Sequence, residues 1–299
     1  MQPDDGADLH QSAQLSEQPS DPLSACPMWT GIPAEPVKPM KCGALAFLHI
    51  GKTGGKTISN HLKTQAETGN YSYFSLYNTS GGGFEEWSEW QALSGALDGV
   101  QPRVAFQMHH GMPGLAQPGN LLETHLLPMK ERLRAEGCDL TLVTVLRDGP
   151  SRIKSSLAYA RWKDYKGQLH EGESNLANNL SSSCPFFKNK ANHETNYLLR
   201  GGRSGQPREE YSDPDSERSM LPEARRALSA MDFVGRTEEL DDFISRLNVL
   251  LGLPEGLRAP TLNEVPEEFK QTNFTHHEER CLADTTGADQ ELYRDYCED

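Results

Sequence analysis

The chain has 299 residues, of which 36% are hydrophobic and 24% charged, a composition that predicts a soluble globular protein with room for a sizeable core. No stretch approaches the ~20 consecutive apolar residues of a membrane helix. Residues 1–30 also lack the basic start and apolar run of a secretory signal. The sequence therefore predicts no membrane segment in this chain.

Acidic residues outnumber basic ones by 43 to 29, which gives a formal net charge of −14. Proteins that bind polyanions usually carry a basic surface. The charge balance therefore disfavours DNA, RNA and heavily sulfated glycans as partners, although a local basic groove is compatible with an acidic average.

The six cysteines form no C-x-x-C pair, so neither a zinc ribbon nor a thioredoxin-like site is indicated. An even number is compatible with disulfides, and a Cys281–Cys297 bridge would close a C-terminal loop in an oxidising compartment. N-x-S/T sequons begin at Asn78, Asn179 and Asn273. Two interpretations stay open: a secretory protein, or a cytoplasmic one with free thiols and chance sequons.

Residues 1–42 are polar and rich in Pro, Asp, Gln and Ser, which predicts a disordered tail ahead of a single domain at 43–299. Short apolar or β-branched runs predict strands at 44–50, 103–108, 139–146 and 232–235. Apolar periodicity and punctuating Gly or Pro predict helices at 57–68, 121–134, 150–165, 192–200, 222–231, 238–251 and 289–296. Loops are predicted at 69–86, 166–185 and 203–219. This alternation predicts an α/β fold with a mostly parallel central sheet flanked by helices.

The segment 48–57, with the sequence LHIGKTGGKT, lies between a predicted strand and a predicted helix. This placement directs backbone N–H groups and the positive end of the helix towards an anion. Gly51, Gly54 and Gly55 allow the backbone to approach phosphate oxygens closely. Further candidate ligands are Lys52, Thr53, Lys56 and Thr57.

The nucleoside-triphosphate loop pattern is G-x-x-x-x-G-K-[ST], and Gly55-Lys56-Thr57 supplies its end. Its first glycine would fall at Ile50, whereas Gly51 is one residue too close. The shorter loop predicts binding of a 5′-phosphosulfate, which has no γ-phosphate to enclose. A plain glycine turn at a strand end is the structural alternative.

A second candidate anchor follows the strand at 139–146. Arg147 leaves the carboxyl end of this strand, where α/β proteins bind ligands, and Ser155 lies on the next predicted helix. The guanidinium fork and the hydroxyl suit one phosphate. An Arg–Asp pair at a helix cap is the alternative for this motif alone.

Taken together, these segments resemble the cofactor signatures of the PAPS-dependent sulfotransferases (PAPS is 3′-phosphoadenosine 5′-phosphosulfate), in the carbohydrate and heparan sulfate 2-O/6-O branch. The family patterns H-I-P-K-T-G-G-x-[ST] and L-R-D-P-x-x-R-x-x-S correspond to 49–57 and 146–155. Gly51 and Gly149 replace family prolines, and Pro150 stands one place later.

Further segments extend the resemblance over roughly 44–296. Residues 192–201 resemble N-x-Q-T-x-x-L-x-G, with Glu194 in place of Gln, and 233–240 resemble the F-V-G-x-T-E turn. Leu262-Asn263 resembles a late L-N element. Each motif is modest alone, and the specificity comes from their order and spacing.

The resemblance implies a P-loop NTPase-like three-layer fold and transfer of a sulfuryl group from PAPS to a hydroxyl of a carbohydrate or small molecule, without a metal. It places the 5′-phosphosulfate on Lys52, Thr53, Gly54, Gly55, Lys56 and Thr57. It places the 3′-phosphate on Arg147 and Ser155. Lys52 would also stabilise the oxygen that leaves sulfur. The implied location is the Golgi lumen if an anchor precedes this chain, with the cytoplasm as the alternative.

Family members often carry a catalytic histidine after the second strand, where this chain has His109 and His110. By this alignment His110 is the expected base and His109 the reserve. Histidine suits the role of a base because its side chain titrates near working pH. A structural role for either is the alternative. His49 is expected to pack at its strand end, and the remaining histidines are expected on the surface.

Two rival functions stay open at this point. A P-loop kinase is disfavoured by the missing first glycine. A non-enzymatic anion-binding module is disfavoured by the presence of both His109 and His110. The sequence does not identify the acceptor.

Overall fold

The structure is a computed structural model that describes residues 38–77, 87–99, 101–109, 115, 120–169, 171–179, 182–200, 214–254, 256–260, 262, 265–271 and 273–296. The strands are β1 (Gly43–Leu48), β2 (Ser72–Leu76), β3 (Arg103–Met108), β4 (Asp139–Leu146) and β5 (Phe233–Arg236). The helices are α1 (Gly55–Thr64), α2 (Ser88–Leu97), α3 (Leu127–Ala135), α4 (Gly149–Tyr165), α5 (Glu171–Ala177), α6 (Cys184–Asn189), α7 (His193–Arg200), α8 (Pro214–Ser229), α9 (Leu240–Leu251), α10 (His276–Thr285) and α11 (Gly287–Asp295).

The five strands form one parallel sheet in the order β2-β3-β1-β4-β5. Every residue of the central strand β1 is buried. Alternate β1 side chains enter separate cores: Ala46 and Leu48 face one, and Leu45 and Phe47 face the other. Such two-sided burial is typical of parallel sheets. The predicted α/β fold with a parallel central sheet is therefore confirmed.

Helices cover both faces of the sheet. Ile58 of α1 and Phe243 of α9 belong to the core that contains Phe47. Leu93 of α2 and Leu133 of α3 belong to the core on the opposite face, together with residues of α8 and α11. The sheet is thus the middle of three layers.

The connections that follow β1 and β4 run in opposite directions along the sheet. After β1 the chain passes to β2, on the far side of β3, whereas after β4 it passes to β5 on the other side. Leu48, the last residue of β1, pairs with Thr144, so β4 extends two residues farther at the same edge of the sheet. Open α/β sheets bind ligands in the crevice at such a point of divergence.

The predicted loops contain regular elements that sequence patterns missed. The edge strand β2 lies inside the predicted loop 69–86, where Leu76 is its one buried residue. The predicted loop 166–185 contains α5 and the start of α6, and α8 begins at Pro214 within the predicted loop 203–219. These segments are polar, so their apolar periodicity is weak.

Two disulfides are present, so disulfide formation is confirmed but one predicted pairing is wrong. Cys42–Cys138 joins the starts of β1 and β4, with Cα atoms 4.9 Å apart. Cys281 is paired with Cys184, and not with Cys297, because α10 packs on α6. This packing leaves the Cα atoms of Cys184 and Cys281 5.8 Å apart. Cys297 itself lies outside the described residues. Connectivity of this kind cannot be deduced from sequence alone.

The remaining expectations divide between described and undescribed residues. Within the described ranges, none of the helices combines the length and apolar character that crossing a bilayer requires. Of the predicted tail, residues 1–37 lie outside the described part, and the Met40 amide donates to the Leu250 carbonyl at 2.8 Å. Asn273 is exposed and Asn179 half-buried, while Asn78 lies outside the described residues.

Candidate active site

The loop between β1 and α1 has the backbone geometry of an anion site. Lys52 and Gly54 both adopt left-handed conformations, with φ of 71° and 80°. Glycine tolerates this region, whereas a lysine there is strained, and such strain concentrates at ligand sites. Helix α1 begins at Gly55 without a side-chain cap. Its first amide groups are therefore suited to a bound anion.

Gly55 is required by the neighbouring His49. A Cβ atom at position 55 would overlap the His49 ring. That ring stacks on His109 with a centroid separation of 3.8 Å. The glycine therefore brings the start of α1 directly onto the histidine pair.

The loop hydroxyls are part of the loop's own framework. Thr53 is fully buried and donates to the Ile50 carbonyl at 2.9 Å. The Thr57 hydroxyl is buried and accepts from the Leu262 amide at 3.2 Å. Lys56 is exposed at the mouth of the loop. Both threonines thus hold the loop in shape, and their role as phosphate ligands stays a prediction.

Lys52 is the centre of a positively charged cluster. Its Nζ atom lies 3.9 Å from the centroid of the Tyr159 ring on α4, and Lys163 Nζ lies 5.2 Å from the same centroid. Burial, followed by the charges of Arg147, Lys163 and Lys56, lowers the pKa of Lys52 to about 8. An anion bound here would offset this repulsion.

A hydrogen bond of Arg147 joins the two predicted anchors, the loop after β1 and the segment after β4. Its Nη1 atom donates to the Lys52 carbonyl at 3.3 Å. Its Nε atom is buried and has no hydrogen-bond partner among the described residues. Other buried Nε atoms share this state, among them those of Arg103 and Arg152. What distinguishes Arg147 is its position beside the β1 loop, where an anion could supply the partner. Burial lowers the pKa of Arg147, and nearby carboxylates including Glu238 and Glu194 oppose that shift.

Three hydrogen bonds fix the backbone around Arg147. The Asp148 carboxylate caps α4 by accepting from the Ser151 amide at 2.9 Å. Glu194 Oε1 accepts from the Arg147 amide at 3.1 Å, and Thr237 Oγ1 donates to the Leu146 carbonyl at 3.2 Å. A Cβ atom on Gly149 would lie 3.0 Å from Thr286. This close approach of the start of α11 explains a glycine at that position.

Helix α4 contributes a row of side chains, of which only the first was predicted. Ser155, Tyr159 and Lys163 follow one another at intervals of four residues, so they share one face of the helix. The contact with Lys52 shows that Tyr159 borders the loop, and Lys163 lies over the same tyrosine ring. The four-residue spacing from Ser155 was the signal available in the sequence.

A hydrogen bond orients the His109 ring. Its Nδ1 atom lies 2.7 Å from the His49 carbonyl oxygen, which can only accept. Nδ1 therefore donates, and Nε2 carries the lone pair whenever the ring is neutral. The His109 amide also donates to the Leu76 carbonyl at 3.1 Å, which fixes the backbone. His110, the expected base, lies outside the described residues, so its role stays a prediction.

Two other histidines differ from the expected surface positions. A Cβ atom on Gly51 would lie 3.4 Å from His193 Nε2, so His193 borders the loop. His61 is buried and hydrogen-bonded to Asn248 at 2.7 Å. His49 packs at its strand end, as expected, with Nδ1 3.3 Å from Gln107 Oε1.

A groove of about 580 Å³ lies farther along α4. Tyr165, six residues beyond Tyr159, is 78% exposed, and its ring lies 5.4 Å from that of Phe269. At ~1.5 Å per helical residue the two tyrosines are ~9 Å apart along the axis. The groove is also lined by Arg161, Asp164, Asn178 and Gln271. Arg161, Asp164 and Tyr165 project from the side of α4 opposite Tyr159, so the groove does not adjoin Lys52.

No protein-family model matches this chain, and no curated protein shows significant similarity to it. The function must therefore be argued from the residues and their geometry. In the part of the chain that the structure describes, no group of three or more His, Cys, Asp or Glu side chains could hold a metal ion.

Proposed function

We propose that this protein is a PAPS-dependent sulfotransferase, an enzyme that transfers the sulfuryl group of PAPS to an acceptor hydroxyl. The observation that carries the proposal is the hydrogen bond from Arg147 Nη1 to the Lys52 carbonyl, at 3.3 Å. It brings two cationic anchors into one crevice between β1 and β4. PAPS carries anionic groups at both its 5′ and its 3′ position, and so matches two adjacent anchors.

The sheet supports the corresponding fold proposal. The β2-β3-β1-β4-β5 order leaves the β1 loop and the β4 loop at one point of divergence. A glycine-rich loop between a central strand and a helix is the arrangement of P-loop proteins. We therefore include a P-loop NTPase-like three-layer fold in the proposal.

In this proposal the loop binds the 5′-phosphosulfate through its amides, with Lys52 as the principal charge. The supporting loop residues are Thr53, Gly54, Gly55, Lys56 and Thr57. Arg147 and Ser155 bind the 3′-phosphate. Arg147 fits this role because its buried Nε atom has no partner in the described chain.

Bound PAPS supplies an activated sulfuryl group on a phosphate leaving group. Lys52 stabilises the charge that develops on the oxygen between phosphorus and sulfur as the S–O bond breaks. Its pKa of about 8 leaves most of the side chain charged at neutral pH. The lysine is held in place by the Tyr159 ring, so little reorganisation is needed when that charge develops.

A histidine of the 109–110 pair removes the proton of the acceptor hydroxyl as the new O–S bond forms. His110 is the first choice by its place in the motif. His109 has the appropriate lone pair on Nε2, fixed by the hydrogen bond to the His49 carbonyl. The acceptor in this proposal is a carbohydrate or a small molecule.

The two disulfides favour an oxidising compartment such as the Golgi lumen. The exposed sequon at Asn273 is compatible with that location.

The decisive experiment is calorimetric titration of the full chain with 3′-phosphoadenosine 5′-phosphate (PAP), the product nucleotide, beside ATP. We expect PAP to bind and ATP to bind far more weakly. Adenosine 5′-phosphate is the matched control, because it lacks the 3′-phosphate that Arg147 would hold. A preference for ATP would favour a kinase, and binding of neither nucleotide would favour a non-enzymatic module.

A further inference from the structure

Glu194 is a fully buried carboxyl beside the second anchor. It lies in the first turn of α7 and has no exposed surface. Its Oε1 atom accepts from the Arg147 amide at 3.1 Å. Its Oε2 atom is also buried and has no hydrogen-bond partner among the described residues. An ionised carboxylate with an unsatisfied buried oxygen is energetically costly.

A second buried carboxyl, Asp289, occupies the other side of this cluster. Its oxygens accept from the Glu194 amide at 3.2 Å and from the amide and hydroxyl of Thr195, both at 2.9 Å. The buried Arg152 places Nε 3.6 Å from Asp289. Asp289 therefore has three donors and a cation, whereas the one donor to the Glu194 side chain is a backbone amide.

Charged groups face Glu194 from several elements. Asp289 lies on α11, Arg152 on α4, Arg147 after β4 and Glu238 in the short turn before α9, and His193 is its neighbour on α7. Burial, reinforced by the charge of Asp289, raises the pKa of Glu194 well above its usual range. Arg152 and the Arg147 amide oppose this effect, and Glu238 adds to it.

The protonation state of Glu194 matters because of its position under Arg147. A neutral carboxyl still accepts from the Arg147 amide through Oε1 and leaves the guanidinium charge available to an anion. An ionised carboxylate at the same place would offset that charge. The two states therefore present different electrostatic potentials to a bound phosphate.

We propose that Glu194 is a positioning residue that holds a proton, and that anion binding at Arg147 is linked to this protonation. The inference rests on the anion site proposed above. By linkage, a bound anion favours the protonated carboxyl, and loss of that proton weakens the anion. Affinity should therefore fall as pH rises through the range in which Glu194 ionises.

The first test compares the dissociation constants of PAP for the wild type and for Glu194→Gln, which fixes the neutral form. Because both proteins share Lys52 and the same ligand, the ratio of the two constants isolates Glu194. We expect the wild-type constant divided by the Glu194→Gln constant to be near one at the acid end of the pH range and to rise with pH, by at most about tenfold per pH unit, the slope for one proton. A ratio that is constant or falls with pH would overturn the proposal.

Glu238→Gln is the matched control, since it removes an exposed carboxylate whose charge also acts on Arg147. The charge of Glu238 is the smallest of the contributions to the raised pKa of Glu194, so the affinity ratio of this variant should vary with pH far less than that of Glu194→Gln. A rising ratio of the same size in this variant would also overturn the proposal, because the effect would then be general to carboxylates near Arg147.

The second test needs no nucleotide. Infrared spectra of the ligand-free wild type at neutral pH should show the C=O stretch of a protonated carboxyl that Glu194→Gln lacks. Absence of that band would refute a proton on Glu194. If PAP fails to bind, the proposed sulfotransferase function fails, and the infrared band still decides whether Glu194 holds a proton.

Discussion

The ammonium group of Lys52 lies 3.9 Å from the centroid of the Tyr159 ring. This contact joins the loop after β1 to the helix after β4, which are separate in sequence. It holds a strained lysine in one orientation and keeps its charge close to Arg147. The aromatic ring thus takes the place of a carboxylate partner, which would have cancelled the charge that an anion needs.

Tyr159→Ala should weaken PAP binding, because Lys52 would lose the ring that orients it. Cation–π contacts are worth about 0.5 kcal/mol at exposed sites and about 2 kcal/mol at desolvated ones. We therefore expect about a twofold to thirtyfold rise in the dissociation constant. Tyr159→Phe keeps the ring face and should bind almost normally. Tyr165→Ala, an exposed tyrosine on the same helix, is the matched control. An equal loss in that variant would contradict a specific role for Tyr159.

PAP affinity should depend on the protonation of Lys52. The pKa of about 8 means that the lysine loses its charge as pH rises through this value, whereas arginine keeps its charge. The ratio of the dissociation constants of the wild type and Lys52→Arg should therefore rise between pH 7 and 9, as measured by calorimetry. A constant ratio would show that Lys52 does not titrate in this range or does not contact the anion.

Arg147→Ala should lose the recognition of the 3′-phosphate. Charge-assisted hydrogen bonds are worth about 1.5–3 kcal/mol, so PAP should bind about tenfold or more weakly. Adenosine 5′-phosphosulfate has no 3′-phosphate and should bind the variant and the wild type alike. If the variant lost affinity for both nucleotides to a similar degree, Arg147 would not be the residue that binds the 3′-phosphate. Circular dichroism would confirm that the variant folds.

His110→Ala should abolish sulfuryl transfer and spare PAP binding, because a base acts on the acceptor and not on the nucleotide. General base catalysis contributes about 10²- to 10⁴-fold, so the loss should reach that range. His109→Ala is the paired variant, and the exposed His276→Ala is the control. Full activity in His110→Ala together with a large loss in His109→Ala would assign the base to His109.

Peptide mapping without reduction should recover the pairs Cys42–Cys138 and Cys184–Cys281. Native disulfides typically contribute about 2–5 kcal/mol, so Cys42→Ser should lower the free energy of unfolding by an amount in that range. Urea denaturation with and without reductant measures it. Recovery of a Cys281–Cys297 peptide would contradict the described pairing.

The strands that the sequence predicted are those whose residues are mostly buried. The apolar runs that became β1, β3 and β4 each contain at least four buried residues. The missed strand β2 lies at the sheet edge with most of its side chains partly exposed. Edge position follows from pairing between distant segments, which a local pattern does not record.

The site also contains contacts that the sequence could predict and contacts that it could not. The proximity of Lys52 and Arg147 was predictable, because each lies in the loop after a strand of a parallel sheet, at the same edge. The contact of Glu194 with Arg147 was not, because it depends on α7 folding back over 47 residues of chain. His193 was expected on the surface for the same reason, since only the packed structure places it beside Gly51.

The hydrogen bond between Arg147 and Lys52 spans 95 residues of sequence, and the chain between them includes β2, β3 and β4. During synthesis the loop after β1 is complete long before its partner leaves the ribosome. A fragment that ends ahead of β4 would hold the glycine loop and still lack half of the crevice. Contacts of such long range form late and slowly. Nucleotide affinity should therefore develop together with the insertion of β4 beside β1, so that a bound nucleotide reports the pairing of these two strands.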